Sequence, residues 1–484
     1  MKGTEVVMNK SIILHFIGWI LVVEAIFMSS SLIVALIYKE SSGYAFLITI
    51  GLCLLIGIPL ILRKQKATQF FAKEGFVTVA LGWIVLSLFG ALPFYISREI
   101  PHYYDAVFEI VSGLTTTGSS ILTDVEALSF CMLFWRSLSH WIGGMGVLVF
   151  VLAILPMAGG NSIHVMRAES PGHSVEKIVP RVHSSSKRLY TIYLVMTIIM
   201  FLILLIGKMP LFDALTLTFG SAGTGGFSIK NSGLADYTYF QQTVITIGMF
   251  LFGVNFNFYY ILLLGKVRSA FKMEEVRWYF IIFSSAIVLI SLNVGGLKGF
   301  FSTIHHSAFQ VSSIMTTTGY ATQDFNYWPT FSKTILVILM FIGACGGSTG
   351  GGIKVSRIVI LFKTIGKELS YLIHRRSVKV LKFEGKKIEH ETMRSINIYL
   401  VTYLFIFTSS VLIVSLDNFD FTSTFTAVAA TFNNIGPGLE VVGPYGNFGG
   451  FSVLSKIVMI FDMLFGRLEI FPMLLLFAPN TWRK

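Results

Sequence analysis

Long apolar runs, interrupted at intervals by clusters of threonine, glycine and asparagine, set the pattern of this chain. A helix needs about 20 predominantly apolar residues to cross a bilayer, and residues 11–38 and 44–62 supply two such spans at the start. The chain then reads as four units with one order of parts: a long apolar helix, a short amphipathic segment, a polar turn, and a second long apolar helix. The first unit takes 76–94, 104–114, the turn TTTGS (115–119) and 137–155. The second takes 189–206, 211–218, SAGTGGFS (221–228) and 242–264. The third takes 279–292, 302–315, TTTGYAT (316–322) and an interrupted run over 331–361. The fourth takes 396–416, 422–431, NNIGPG (433–438) and 454–477. Such self-similarity is the mark of an internal repeat. Its expected boundaries are 1–70 for the opening pair of spans, then 71–165, 185–270, 275–370 and 390–484 for the four units.

The short segments carry the most information. Two to four turns long, they cannot cross a bilayer and read as buried or re-entrant helices. Asp105, Asp213, Ser302 or Thr303, and Asp420 with Thr422 stand near their starts, where such side chains suit exposed amides. Each segment is followed by glycine: Gly118, Gly225, Gly319 and Gly436. Non-helical backbone at membrane depth is tolerated only where protein or a watery cavity surrounds it, so four such turns predict one shared aqueous space. Glycine admits backbone angles closed to other residues. A ring of carbonyls so arranged can replace the hydration shell of a monovalent cation, and helix C-termini aimed at it would disfavour an anion.

Composition narrows the class. Hydrophobic residues make up 54% and charged residues 13% of the chain, against about 25% charged in a soluble domain. The first apolar run follows Lys2 and Lys10 but exceeds the apolar core of a signal peptide, and is expected to be a retained span. The net charge of +12 is concentrated in a few loops, around Arg63, Lys187, Arg188, Lys266 and Arg268 and over 363–394, whereas Asp124, Asp236, Asp324 and Glu440 mark the loops between. Positive loops belong inside, which puts both termini in the cytoplasm and leaves no case for nucleic acid. Cys53, Cys131 and Cys345 lack ligand spacing and read as small hydrophobes. His305 and His306 are adjacent near a short-helix start, but no HExxH or serine-nucleophile motif accompanies them, so an enzyme is not expected.

Together the repeated turns, SLSHWIGGMGVLVF (137–150), GTGGFS (223–228), TTTGYAT, GACGGSTGGGIK (343–354) and GRLEIFPMLLLF (466–477) resemble the TrkH/TrkG-type membrane subunits of bacterial Trk potassium-uptake systems, over essentially the whole chain. The resemblance implies an all-α polytopic membrane protein with pseudo-fourfold helix, pore-helix, helix repeats around a central pore, preceded by two extra transmembrane helices. It further implies K+ as the ion carried and bound, no organic cofactor, a homodimer in the bacterial inner membrane, and a separate cytoplasmic nucleotide-binding regulatory subunit of the TrkA type. Carried over residue by residue, the K+ filter takes Thr116, Thr117, Gly118, Thr224, Gly225, Thr317, Thr318, Gly319, Asn434, Ile435 and Gly436. The gate takes Gly346, Gly347, Ser348, Thr349, Gly350, Gly351 and Gly352, with Arg467 of the last helix.

Two of these readings also stand on the residues themselves. Each glycine in GGSTGGG costs a helix about 1 kcal/mol relative to alanine, so this stretch reads as a plug within the membrane; the other reading is a loop outside it, with Lys354 and Arg357 marking the inner edge. Arg467 is either a positive barrier to cations or an arginine paired with a carboxylate or snorkelling to the surface. The second and fourth units lack the three threonines, which leaves Na+ passage open, and an ion-coupled secondary transporter with broken helices remains the alternative mechanism. His140 stands where relatives commonly have glutamine, and Pro472 is expected to bend the last helix just beyond Arg467.

Overall fold

The computed structural model describes residues 8–63, 72–144, 146, 182–375 and 380–482. Two helices open the chain, α1 (Lys10–Tyr38) and α2 (Gly43–Leu62). They cross at Gly18 and Gly57, where a Cβ on either glycine would come within 3.0 Å of the other's carbonyl oxygen. Small residues let helix backbones approach in a medium that supplies no hydrophobic drive.

The four units follow in order. The first contains α3 (Ala72–Gly90), α4 (Leu92–Ser97), the short helix α5 (Tyr103–Leu114) and α6 (Phe130–Gly144). The second contains α7 (Val182–Ile206), the short helix α8 (Leu211–Gly223), α9 (Tyr239–Phe252) and α10 (Phe256–Leu263), followed by α11 (Val267–Phe271). The third contains α12 (Glu274–Met315), α13 (Thr330–Ile342) and α14 (Val355–Ile373), then a two-stranded hairpin pairing Lys382 with Lys387. The fourth contains α15 (His390–Val414), the short helix α16 (Phe421–Phe432), α17 (Val453–Arg467) and α18 (Phe471–Phe477), before α19 (Pro479–Trp482). Among the described residues six helices are long and apolar enough to cross a membrane, and the bent pair α9–α10 makes a seventh. The chain is a multi-pass, all-α membrane protein.

Burial separates the two kinds of helix. Positions such as Leu36, Leu55, Ile206, Val401 and Phe405 on the long helices are exposed, as suits a surface bathed in lipid. The short helices are enclosed instead: Phe108 to Leu114 on α5 and Ala427 to Phe432 on α16 are buried throughout.

Several expected boundaries change. The span expected over 76–94 is present as Lys73–Ser97, divided at Ala91 into α3 and α4, with Pro93 in the first turn of α4, where its missing amide is tolerated. The helix expected over 137–155 begins at Phe130; residues 147–155 lie outside the described residues. The run 242–264 is not one helix but bends by 90° between Phe252 and Phe256, where the Asn255 side chain caps α10 by accepting from Asn257 N at 2.9 Å. In the third unit the expected long and short helices are both present, as the two parts of α12 that meet at Gly296, whose backbone is not helical (φ 60°, ψ −172°). The last helix breaks after Arg467, with Glu469 and Ile470 at positive φ and Pro472 in the first turn of α18.

The expected caps also need correction. Asp420 does cap α16, with its carboxylate accepting from Ser423 N at 2.9 Å and from the Ser423 hydroxyl. Asp105 instead pairs with Lys456 at 2.7 Å, and Asp213 accepts from the Tyr237 hydroxyl at 2.9 Å. Ser302 and Thr303 sit inside α12 and donate to Gly299 O. These hydrogen bonds to Ser423 hold the Asp420 carboxyl below the ordinary carboxylate range. A depressed folded-state pKa contributes stability above the unfolded value, and that contribution is lost as pH falls through the folded one. Asp420→Ala should therefore lower the thermal midpoint at neutral pH, at a cost of about 1 kcal/mol, and the difference from the parent should shrink as melts are taken into strong acid.

Candidate functional site: a ring of four turns and the loop beneath it

The four turns meet. Gly118, Gly226, Gly319 and Gly436 all line one polar cavity of about 130 Å³, together with Arg136 and Tyr445. Each turn places a residue in the left-handed region two positions before a positive-φ glycine: Thr116 and Gly118, Thr224 and Gly226, Thr317 and Gly319, Asn434 and Gly436. The expected register was one residue off in the second unit. Gly226, and not Gly225, is equivalent to the other three glycines, while Gly225 holds the place of Thr117, Thr318 and Ile435.

Neighbour contacts give the same register. A Cβ on Gly118 would lie 2.1 Å from Gly225 O, one on Gly226 1.8 Å from Thr318 O, one on Gly319 2.2 Å from Ile435 O, and one on Gly436 2.8 Å from Thr117 O. Each glycine thus faces the carbonyl of the preceding position in the next unit, and the fourth unit closes on the first. No side chain fits, so glycine is required by the approach as well as by φ.

The side chains of the turns do local work. Thr115 donates to Val111 O at 2.6 Å and lies 2.8 Å from the Thr117 hydroxyl; Thr316, Ser312 and Thr318 repeat that arrangement. In the fourth unit the Asn433 amide takes the place of this first threonine, donating to Ala429 O at 2.9 Å. Asn434 crosses to the first unit and donates to the Thr117 hydroxyl at 2.9 Å. Ser119 donates to Gly436 O at 3.0 Å.

Behind the ring stand residues that sequence reasoning did not place. Arg136 forms a buried ion pair with Glu109 at 2.7 Å and lies over the Phe227 ring at 4.0 Å. It also donates to Ser228 O at 3.2 Å, and so ties the first unit to the second. His140 lies behind the same two turns: its Nδ1 is 2.8 Å from Gly113 O and its Nε2 accepts from Phe227 N at 3.1 Å. One ring nitrogen must donate and the other accept, which a neutral imidazole does. A glutamine amide also offers both a donor and an acceptor, so His140→Gln should keep the thermal midpoint close to that of the parent. His140→Leu leaves a buried amide without a partner, which costs about 1–3 kcal/mol, and should lower the thermal midpoint by several degrees.

Beneath the ring the interruption between α13 and α14 is longer than the expected 346–352 and runs from 343 to 354. It touches the turns directly: Gly351 N donates to the Thr317 hydroxyl at 2.6 Å and Gly352 N to Asn433 O at 3.1 Å. Positive charges hold its carbonyls. Lys354, buried and not an edge marker, donates to Gly350 O and, at 3.2 Å, to Gly351 O. Arg467 donates to Thr349 O at 2.9 Å, to the Thr116 hydroxyl at 3.2 Å, to Gly144 O at 2.7 Å and to Gly143 O. Its guanidinium therefore links loop, first turn and the end of α6. Glu469, two residues on, pairs with Arg357, whose guanidinium lies 4.1 Å from the centre of the Tyr399 ring.

The sequence had hinted at part of this. A lysine two residues after a glycine run, and an acid two residues from Arg467, were visible signals. Glu109 and Arg136 were hidden in amphipathic segments whose partner lies across the unit.

Comparison with known proteins gives concordant results. The model of a family described as TrkH, cation transport protein, matches residues 42–484. The Trk system potassium uptake protein TrkH of Salmonella typhimurium is 37% identical over 465 residues, covering 93% of this chain and 95% of that protein. The Trk system potassium uptake protein TrkG of Escherichia coli is 32% identical, covering 99% of this chain and 100% of its own length. The crystal structure of the potassium transporter TrkH from Vibrio parahaemolyticus superposes with a TM-score of 0.88 at 31% identity, covering 98% of this chain and 100% of that one.

Proposed function

Since the chain belongs to the TrkH family of cation transport proteins, we propose that it carries K+ across the bacterial inner membrane through the ring of four turns. The observation that carries this reading is the closed cycle of glycines, each set against the carbonyl of the preceding position in the next unit. In this reading the filter backbone runs through Thr116 to Gly118, Thr224 to Gly226, Thr317 to Gly319 and Asn434 to Gly436, and K+ exchanges its hydration shell for their carbonyl oxygens. The repeats occupy 71–165, 185–270, 275–370 and 390–484 after an opening pair over 1–70. The segment 343–354 and Arg467 form the gate below the filter: the loop occupies the path and the guanidinium adds a positive barrier.

The basic loops support a gate on the cytoplasmic side and both termini inside. A homodimer with one path per protomer, and a separate TrkA-like nucleotide-binding subunit docked on the basic face, complete the assembly. K+ is cargo, and no organic cofactor is invoked.

The test is flux of Rb+ and Na+ into vesicles holding the purified chain, with and without a TrkA-like subunit. Rb+ entry well above Na+ entry supports the reading. Equal entry points to a Na+-permeable transporter, and absence of both fluxes with the partner present overturns it.

A further inference from the structure

One carboxylate joins the two ends of the interrupted segment. Glu275, in the first turn of α12 and 4% exposed, accepts from Gly346 N at 2.7 Å and from Ser356 N at 3.2 Å through the same oxygen, Oε1. Gly346 lies near the start of the 343–354 segment and Ser356 just past its end. The second oxygen, Oε2, accepts from Asn255 Nδ2 at 3.2 Å, at the 90° break between α9 and α10. That break is itself seated on the segment: Cys345 N donates to Gly253 O at 3.1 Å, Phe256 N to Gly347 O at 3.0 Å, and the Thr349 hydroxyl to Phe252 O at 3.1 Å.

The same step of α12 reaches outward. Glu275 N donates to Glu384 Oε1 at 3.0 Å, in the turn of the hairpin that pairs Lys382 with Lys387. Neighbouring Glu274 pairs with Lys363 of α14, which also donates to Lys382 O at 2.8 Å.

We propose that Glu275 is the positioning residue that keeps the 343–354 segment closed under the ring, and that Glu384 couples the hairpin to it. The division of labour is chemical. Lys354 and Arg467 hold the segment by its carbonyls, and Glu275 holds it by its amides. Hydrogen bonds to an ionised acceptor are roughly twice as strong as neutral ones, and a glycine-rich segment has little side-chain packing of its own to replace them. With both ends held by one oxygen, the segment cannot lengthen its span without breaking at least one of those bonds. Displacement of the hairpin acts on the backbone at Glu275 and so on both ends together. This inference rests on the reading of 343–354 as a gate, and two readouts separate the failure of one from the failure of the other.

Rb+ flux in proteoliposomes and amide hydrogen exchange over 343–356 are measured on the full chain, Glu275→Gln, Glu275→Ala and Glu384→Ala. The expected result is faster exchange and higher flux, about threefold in Glu275→Gln and about tenfold in Glu275→Ala, the graded loss of charge-assisted bonds. Glu384→Ala, on an accessible turn, should raise exchange over the same segment without changing it in the α16 turn. Faster exchange with unchanged flux supports the positioning role and overturns the gate reading. Unchanged exchange in both Glu275 variants overturns the proposal; if Glu275→Ala fails to fold, the isosteric glutamine decides alone. A fall in flux together with a fall in thermal midpoint, with exchange raised throughout the protein, also overturns it, because that is the mark of a merely structural residue.

Discussion

Gly319→Ser is expected to lower Rb+ flux through the reconstituted protein by at least about tenfold, the change in rate that 1.4 kcal/mol produces. Two independent effects act in the same direction. Gly319 sits at φ of 88°, where an L side chain costs about 1–2 kcal/mol. Its new Cβ would lie 2.2 Å from Ile435 O and 2.9 Å from the Pro437 ring. That clash is with backbone on the neighbouring turn, so the ring itself must yield. Gly226→Ser should be as severe, for the contact there is 1.8 Å from Thr318 O at φ of 77°.

The register correction supplies a sharper comparison. At Gly225 φ is not positive, and the obstruction is the His140 ring, 2.1 Å from a Cβ. Removing that ring in a His140→Ala, Gly225→Ala double variant should recover much of the flux that Gly225→Ala loses. The same background should do nothing for Gly226→Ala. Equal recovery at both glycines would argue against the assigned register.

Arg467→Ala is expected to raise Rb+ flux by about tenfold. The substitution frees Thr349 O on the interrupted segment and also removes the bond to the Thr116 hydroxyl, while the backbone contacts between the four turns stay. A hydrogen bond from a charged donor contributes about 1.5–3 kcal/mol, so even one such bond to the segment shifts its open population by an order of magnitude. Arg467→Lys keeps the charge but not the planar fork that reaches Thr349, Thr116, Gly143 and Gly144 together, and should fall between parent and alanine. Unchanged flux with a lowered thermal midpoint would assign Arg467 to helix packing and remove it from the proposed gate.

How far the sequence predicts this arrangement depends on what kind of signal each part leaves. The spans and short helices announce themselves through apolar length, and their extents hold within a few residues where capping is local. Glycine turns were legible as turns, but adjacent Gly225 and Gly226 are chemically identical. Their φ values and the neighbour each one meets, the His140 ring at Gly225 and Thr318 O at Gly226, tell them apart. The break after Phe252 was written as Gly253 and Asn255 inside an apolar run, yet it becomes a break because the interrupted segment of the next unit, about ninety residues on, supplies the hydrogen bonds that its freed backbone needs. Lys354 invited an interfacial reading on charge alone. Its burial follows from the carbonyls of Gly350 and Gly351, which no local pattern reveals. Asp105 and Asp213 looked like caps for the same reason that they are not: a carboxylate near a helix start is equally suited to a partner far along the chain.

The closure of the fourth turn on the first has a consequence for biosynthesis. Ser119 to Gly436, Asn434 to Thr117, Phe448 N to Ser120 O and Lys456 to Asp105 all join the beginning of the repeat array to its end. Domains emerge from the ribosome in order, and contacts of such sequence separation form last because chain closure must precede them. A nascent chain that has inserted three quarters of its spans still lacks the surface that completes the circle. If the ring is the proposed ion path, permeability through it should therefore appear only when synthesis is nearly finished, and a prematurely terminated chain lacking the last quarter would not leave the cell with an open leak of this geometry.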